Sequence, residues 1–337
     1  MAVSFVIPNW NRRDLLLATL ASLGAQTEPP LEILVVDNAS SDGSAEAARR
    51  AGARVLPLDR NTGFSFAVNR GLEAARGELV AVVNNDVEFA PDWTARLRQA
   101  LEGNGAWFAF GKLLDHARRD YIDGAGDALC RGGAALRLGH GRPDGPVFQQ
   151  PRRSFFPSGT AFVARREFFA RAGLLEEAFF AYLEDVDLGL RAALLDLAGV
   201  YVPEAVAYHR GSATLGAGSP EMTEWITRNQ ILLLAKFYPT DLLRRLWRPV
   251  LAAQALWFLL ALRHGRVAAW VRGLRAGLAG RKAIRRSGAA WRADGTRLAR
   301  ILTSSERELL YFERSTGWDG YWRWYFRLAP PPQETQS

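Results

Sequence analysis

The chain has little cysteine: Cys130 alone in 337 residues. That excludes an intramolecular disulfide framework and any zinc site built from several thiolates, and it suits a reducing compartment. No Gly-x-Gly-x-x-Gly follows the first predicted strand, and no Gly-Lys-Ser/Thr loop occurs anywhere. The glycine cradles that hold a pyrophosphate in dinucleotide-binding and P-loop proteins are therefore missing. Long apolar runs are missing as well. The longest, Pro249 to Leu262, has 14 residues, fewer than the roughly 20 that span a hydrocarbon core, and reads as an interfacial or buried helix. Met1 and Ala2 lead directly into an apolar strand at Val3, so no secretory signal peptide is expected. No internal repeat is found.

What is present is globular: 48% hydrophobic and 23% charged residues. The net charge of +8 is unevenly divided. Thr240 to Arg300 carries 14 Lys and Arg against Asp241 and Asp294, a local +12, and the remainder is −4. The basicity thus belongs to a C-terminal region attached to a mildly acidic body. We expect a catalytic body over 1–239, a basic, amphipathic, mainly helical region over 240–328, and a disordered tail over 329–337.

Residues 3–83 alternate apolar runs with helical stretches. Strands are predicted over 3–7, 31–36, 55–58 and 79–83, with helices over 13–25, 45–51 and 66–75. A βαβαβαβ order predicts an α/β fold, a mostly parallel sheet with helices on both faces. Residues 104–155, rich in Gly and Arg, show no regular period. A strand follows Phe155, then helices over 166–172 and from Glu184, and apolar stretches at 200–202 and 205–209. Helices are expected from Trp225 onward.

In such sheets ligands bind at the carboxyl ends of the strands. Asn9 and Asn11 follow the first strand, Asp37 and Asn38 the second, Asn61 the third and Asp86 the fourth. Any one of these also serves as ordinary turn chemistry; together they mark one edge as a candidate site. Without a glycine cradle, a bound diphosphate needs another source of positive charge, and a divalent metal is the obvious one. Asp86, in the Asn84 to Glu88 segment, suits a hard cation or, alternatively, a helix cap. Glu184 and Asp185 open a helix behind aromatic residues. They are either a solvated first turn favoured by the helix dipole or a pair in which burial raises one carboxyl. Asp187 and Arg191 stand at ion-pair spacing. His209 is either structural or, near an Asp, a metal ligand.

Eight segments in order carry a resemblance: SFVIPNWNRRDLL, VVDNASSDGS, NTGFSFAVNRG, VVNNDVEFAPDW, SGTAFVARREFF, FFAYLEDVDLGLRA, VPEAVAYHRGSAT and TRNQILLLAKFYP. Over roughly residues 2–240 the chain resembles the inverting nucleotide-sugar glycosyltransferases of family 2, especially their bacterial rhamnosyltransferase-like branch. The resemblance implies a GT-A fold and a divalent metal, Mg or Mn. It implies a nucleoside-diphosphate-sugar donor (dTDP, UDP or GDP) and a glycan or lipid-linked acceptor in cell-surface polysaccharide assembly. Asp86 matches the last acid of the family's metal motif, whose first acid is replaced here by Asn84, and His209 matches the histidine completing that site. Asp185 matches the catalytic base, with Glu184 its acidic neighbour. Asp37 matches the residue on nucleobase or ribose, with Pro8 and Asn9 lining the base. Asn61, Gly63 and Asn69 match the segment near ribose and phosphate. Asn85 is assigned with them to the donor, and Gly159 to the turn bordering acceptor and donor sugar. Two rival readings are a non-catalytic membrane-bound scaffold and a sugar-nucleotide pyrophosphorylase, and the latter lacks its phosphate loop.

The basic region mixes Arg and Trp with aliphatic residues, which suits an anionic membrane surface. The competing readings are a solvated face packed on the body and a nucleic-acid surface. No nucleic-acid partner is expected, because no such motif occurs. The expected location is cytoplasmic, peripheral at the inner face of the cell membrane. The aromatic stretch 309–326 could be an anchor, a subunit contact or a sugar platform.

Overall fold

The computed structural model describes residues 1–332 apart from 104, 212–217 and 293. Two compact units emerge: Met1–Asp127 with Gly139–Ala217, and Ala128–Leu138 with Gly218–Ser337. The strands are β1 (Val3–Asn9), β2 (Glu32–Asp37), β3 (Arg54–Pro57), β4 (Leu79–Val83), β5 (Val87–Phe89), β6 (Phe108–Asp115), β7 (Tyr121–Gly124), β8 (Asp127–Leu129), β9 (Ala135–Arg137), β10 (Arg142–Pro143), β11 (Arg152–Ser154), β12 (Ala161–Arg165) and β13 (Gly199–His209). The helices are α1 (Arg13–Gly24), α2 (Ser44–Arg50), α3 (Phe64–Ala74), α4 (Trp93–Gly103), α5 (Arg166–Ala172) and α6 (Glu184–Leu194) in the first unit. The second has α7 (Pro220–Phe237), α8 (Thr240–Arg245), α9 (Trp247–Arg263), α10 (Val267–Ser287), α11 (Gly295–Thr316) and α12 (Gly320–Leu328).

In the first unit β3, β2, β1 and β4 pair in parallel. The apolar strand residues Phe5, Ile7, Val35, Leu79, Ala81 and Val83 are buried with Leu16 and Leu20 of α1. The sheet then turns mixed: β12 lies antiparallel to β4 and to β6. The antiparallel entry of β12 brings its first residues to the edge where the parallel strands end. Residues 104–155, without a legible period, contain β6, a strand of 8 residues buried along nearly its whole length. Gly111 and the buried Lys112 interrupt its apolar run, so neither alternation nor a continuous run marks it in the sequence. The two apolar stretches at 200–202 and 205–209 are one strand, β13, whose register against β6 shifts between Val202 and Val206.

The second unit begins at Gly218 rather than at 240 and includes the segment 128–138. Ser219 caps α7 by accepting from the Met222 N–H at 3.1 Å. The α10 residues Gly273 and Gly277 pack on Glu224, Thr227, Arg228 and Ile231 of α7. This close crossing assigns α7 to the helical unit although the basic composition starts only at 240. Arg131 and Glu306 form a buried ion pair. Tyr325 donates to Glu306 at 2.6 Å, and the Arg131 guanidinium also donates to the carbonyls of Ala329 and Pro330. The stretch 329–332, expected to be disordered, is thus tied down at its start, and 333–337 lie outside the described residues. Among the described residues, no helix is long and apolar enough to cross a membrane.

Candidate active site

At the carboxyl ends of β1, β2 and β4, side-chain amides and carboxylates form a connected chain. Asn85 donates to Asn9 Oδ1 at 2.7 Å, and Asn9 donates in turn to Asp37 Oδ1 at 3.3 Å and to Ser40 Oγ at 3.2 Å. Asp37 Oδ2 accepts the Ser40 N–H at 3.1 Å. Beside it Asn38 donates to Asn61 Oδ1 at 3.0 Å and to the Gly63 carbonyl at 3.1 Å, and accepts the Thr62 N–H at 2.8 Å. The predicted donor residues Asn9, Asp37, Asn61, Gly63 and Asn85 are therefore brought together. Pro8 precedes Asn9 on β1, in register with Val36 on β2. Gly63 has φ +87°, and a Cβ there would lie 2.7 Å from the Phe180 carbonyl oxygen, so the position demands glycine.

Asn69 is not brought there. Its amide donates to the Leu175 carbonyl at 2.9 Å and to Glu177 at 3.0 Å, and accepts the Leu175 N–H at 2.9 Å. Both amide hydrogens and the amide oxygen of that buried side chain are engaged in clamping the 175–177 segment to α3.

Across the same edge, the Asn84 N–H donates to the Thr160 carbonyl at 2.9 Å, joining the end of β4 to the Ser158–Thr160 turn before β12. The turn receives Asp185: the Gly159 N–H donates to Asp185 Oδ2 at 3.1 Å, and the Val186 N–H to Oδ1 at 2.8 Å. A Cβ at Gly159 would lie 2.5 Å from Asp185 Oδ2, so only glycine allows the carboxylate to sit on the backbone. Asp185 is part-exposed while Glu184 beside it is buried. Burial, reinforced by the negative charges of Asp185, Asp127 and Asp187, pushes the Glu184 carboxyl well above the usual range. Glu184 is thus neutral at pH values where an ordinary glutamate has ionised. Asp187 and Arg191 pair within α6, Nε to Oδ2, at 2.9 Å. The chain reaches α6 through left-handed backbone at Phe180 (φ 63°), Tyr182 (φ 70°) and Leu183 (φ 67°). Such conformations are strained for these residue types and persist where the surroundings enforce them.

Beyond β4, Asp86 faces His209 at the end of β13, Oδ1 to Nε2 at 3.3 Å. Asp123 of β7 holds the opposite ring nitrogen, Nδ1 to Oδ2, at 2.7 Å. All three side chains are buried. Burial disfavours the charged imidazolium, but Asp123 and Asp86 outweigh it and push the His209 pKa up to about 9. Asp123 was not legible in sequence: it lies in the aperiodic stretch, 86 residues from its partner.

The arrangement fits a divalent cation in its chemistry. Asp86 Oδ1 is buried and, apart from His209 Nε2 at 3.3 Å, has no polar partner among the described residues. Once a cation displaces the Nε2 proton, an imidazole whose Nδ1 is held by a carboxylate presents Nε2 as a ligand, with the usual second partner of a metal-bound histidine. Among the described residues no group of three or more His, Cys, Asp or Glu is disposed to hold a metal. The chain would therefore supply Asp86 and His209, leaving other positions for water and ligand oxygens. On the β4 end, the turn before β12 and the start of α6, further buried polar atoms have no partner among the described residues: Asn84 Oδ1, Ser158 Oγ, Thr160 Oγ1 and Glu184 Oε2. Buried polar atoms are nearly always bonded in folded proteins, so these atoms are open to water or to a polar ligand.

Residues 4–172 match the family Glycosyl transferase family 2. The chain is 34% identical over 221 residues to the N-acetylglucosaminyl-diphospho-decaprenol L-rhamnosyltransferase of Mycobacterium tuberculosis, covering 58% of this chain and 72% of that protein. Among solved structures it is similar to GalNAc-T7 with UDP, GalNAc and Mn2+, at TM-score 0.60 and 16% identity, over 84% of this chain and 57% of that one. It is also similar to the mannosyltransferase PcManGT of Pyrobaculum calidifontis in complex with GDP-Man and Mn2+, at TM-score 0.50 and 19% identity, over 92% and 87%. At these identities the structural likeness establishes the GT-A fold, with a C-terminal helical region added. Taken with the matched family segment and the mycobacterial relative, it follows that the chain belongs to glycosyl transferase family 2 and is rhamnosyltransferase-like.

Proposed function

We propose that the chain is an inverting glycosyltransferase that moves rhamnose or another hexose from a nucleoside-diphosphate donor to a hydroxyl of a glycan or lipid-linked glycan. The observation that carries this reading is the Asp185 carboxylate, part-exposed and fixed by the Gly159 and Val186 N–H groups, on the edge that also holds Asp86. Asp185 accepts the proton of the acceptor hydroxyl, which attacks the anomeric carbon from the face opposite the leaving diphosphate. With one displacement and no enzyme nucleophile, configuration inverts. Asp37, oriented by Asn9 and Ser40, holds the ribose or base of the donor. Asn61, Gly63 and Asn85 shape the donor cleft around it. Asp86 and His209 would hold Mg or Mn, which when bound supplies the positive charge that offsets the departing diphosphate. Asp123 keeps the His209 ring turned toward that position.

By likeness to the mycobacterial relative, whose name specifies a decaprenol-linked acceptor, we take the acceptor to be lipid-linked and the place of work to be the inner face of the cell membrane. The test is Asp185→Asn, assayed for transfer from dTDP-, UDP- and GDP-sugars with Mg or Mn, alongside donor binding by calorimetry. Transfer should disappear while donor affinity stays within a few-fold. Donor affinity falling in step with turnover sinks the assignment.

A further inference from the structure

Helix α9 leaves one stripe uncovered. Trp247, Leu251, Leu259 and Leu262 are 55%, 59%, 54% and 53% exposed, with exposed Ala255 between them. Their spacing puts them on a single helical face about 22 Å long. The opposite face is filled: Ala252, Ala253 and Ala261 are buried, and Tyr321 of α12 donates to the Ala253 carbonyl at 2.9 Å. Large apolar side chains in a row at this exposure mark an interaction surface rather than ordinary surface scatter.

The ends of the stripe are basic. Arg244, Arg245 and Arg248 precede or flank it, Arg263 and Arg266 close it, and no acidic residue occurs between Asp241 and Asp294. The Arg248 guanidinium lies over the Trp247 ring, 5.3 Å from its centroid. We propose that this face of α9 lies in the plane of an anionic lipid bilayer. On this assignment Trp247 and the leucines enter the acyl boundary, and the flanking arginines meet headgroup phosphates. A second copy of the chain is a poor occupant. Copies facing each other in parallel oppose the same arginines, and antiparallel copies oppose Arg244, Arg245 and Arg248 to Arg263 and Arg266. Either way like charges meet, with the single carboxylate of Asp241, paired to Arg245, against five arginines on each copy. A bilayer bearing negative headgroups complements both the stripe and its ends.

This deepens the proposed membrane location, and its test needs neither donor, acceptor nor metal, so it fails or holds independently of the transfer chemistry. The full-length protein is floated with vesicles of 30% phosphatidylglycerol in phosphatidylcholine and with phosphatidylcholine alone, at low and high salt. Binding should require the anionic lipid and weaken with salt. Replacing Arg244, Arg245 and Arg248 together by Gln should lower the affinity about 100-fold at low salt. Leu251→Glu with Leu259→Glu should lower it at least tenfold with the melting temperature unchanged, since both positions are exposed. Brominated acyl chains should quench the wild-type fluorescence more than that of Trp247→Phe. Absence of wild-type binding, equal binding to both vesicle types, or unchanged affinity of the leucine variant overturns the proposal. So does equal quenching of the two proteins, or a dimer in sedimentation velocity that the leucine variant abolishes.

Discussion

Replacing Glu184 by Gln separates the charge of the candidate site from its shape. Glu184 is 6% exposed, its Oε2 has no partner among the described residues, and burial beside Asp185, Asp127 and Asp187 raises its pKa well above 4.5. Above pH 4.5 the unfolded chain loses this proton, while the folded chain keeps it until the raised pKa is reached. The folded state then binds one proton more than the unfolded state, so stability falls as pH rises. The slope is about 1.4 kcal/mol per pH unit, starting at the unfolded pKa and ending at the folded one. Glutamine has no proton to lose and lacks that slope. Urea unfolding of both proteins at half-unit steps from pH 5 to 8 should therefore give a stability difference that grows in favour of Glu184→Gln. The growth should be about 1.4 kcal/mol for each unit over which the folded carboxyl stays protonated. A constant offset from the amide moves the whole difference curve without tilting it. Parallel stability–pH curves would refute the neutral, buried carboxyl. The same variant should keep transfer activity, because Asp185 retains its carboxylate and its two N–H donors.

Gly159→Ala sets a methyl 2.5 Å from Asp185 Oδ2 and displaces the carboxylate; initial rates should fall by about 100-fold, with donor affinity by calorimetry nearly unchanged. Asp123→Asn removes the charged partner of His209 Nδ1 and should weaken Mn affinity, measured by titration calorimetry without donor, by about 10- to 100-fold; unchanged affinity would remove Asp123 from the ligand set's support. In the helical unit, Arg131→Met leaves Glu306, with 0% of its surface exposed, without its cation. Urea unfolding should show a loss of about 3–5 kcal/mol, much of it recovered when Glu306→Leu is added.

The first four strands were legible because each is a short apolar run closed by a polar turn, and β1, β2, β3 and β4 lie within a residue or two of the expected runs. β6 was not, since Gly111 and the buried Lys112 break its apolar run, and neither was its joint pairing with β7, β12 and β13. The division of the chain shows the same limit. Charge composition changes at Thr240, but packing changes at Gly218, because α7 meets α10 through small residues that carry no charge signal. Composition reports what water sees of a helix; the crossing of two helices is decided on the face that water does not see.

The candidate site divides along similar lines. Asn9, Asp37, Asn61 and Asp86 were visible as polar ends of apolar strands, and the sheet topology alone brings them to one edge. Asn69 stood in the same motif, yet its neighbour in space is Leu175, 106 residues away, and that contact consumes the amide. Glu184 and Asp185 show why adjacency cannot assign roles. Successive residues on a helix point about 100° apart, so when α6 docks, one acid turns into the protein and the other toward the cleft. The inward one is stripped of water and kept protonated by its acidic neighbours. The outward one rests on a glycine that has no Cβ to push it away. The different placement of the two acids is thus written partly at position 159, 26 residues from Asp185, and becomes readable only when the turn and the helix meet.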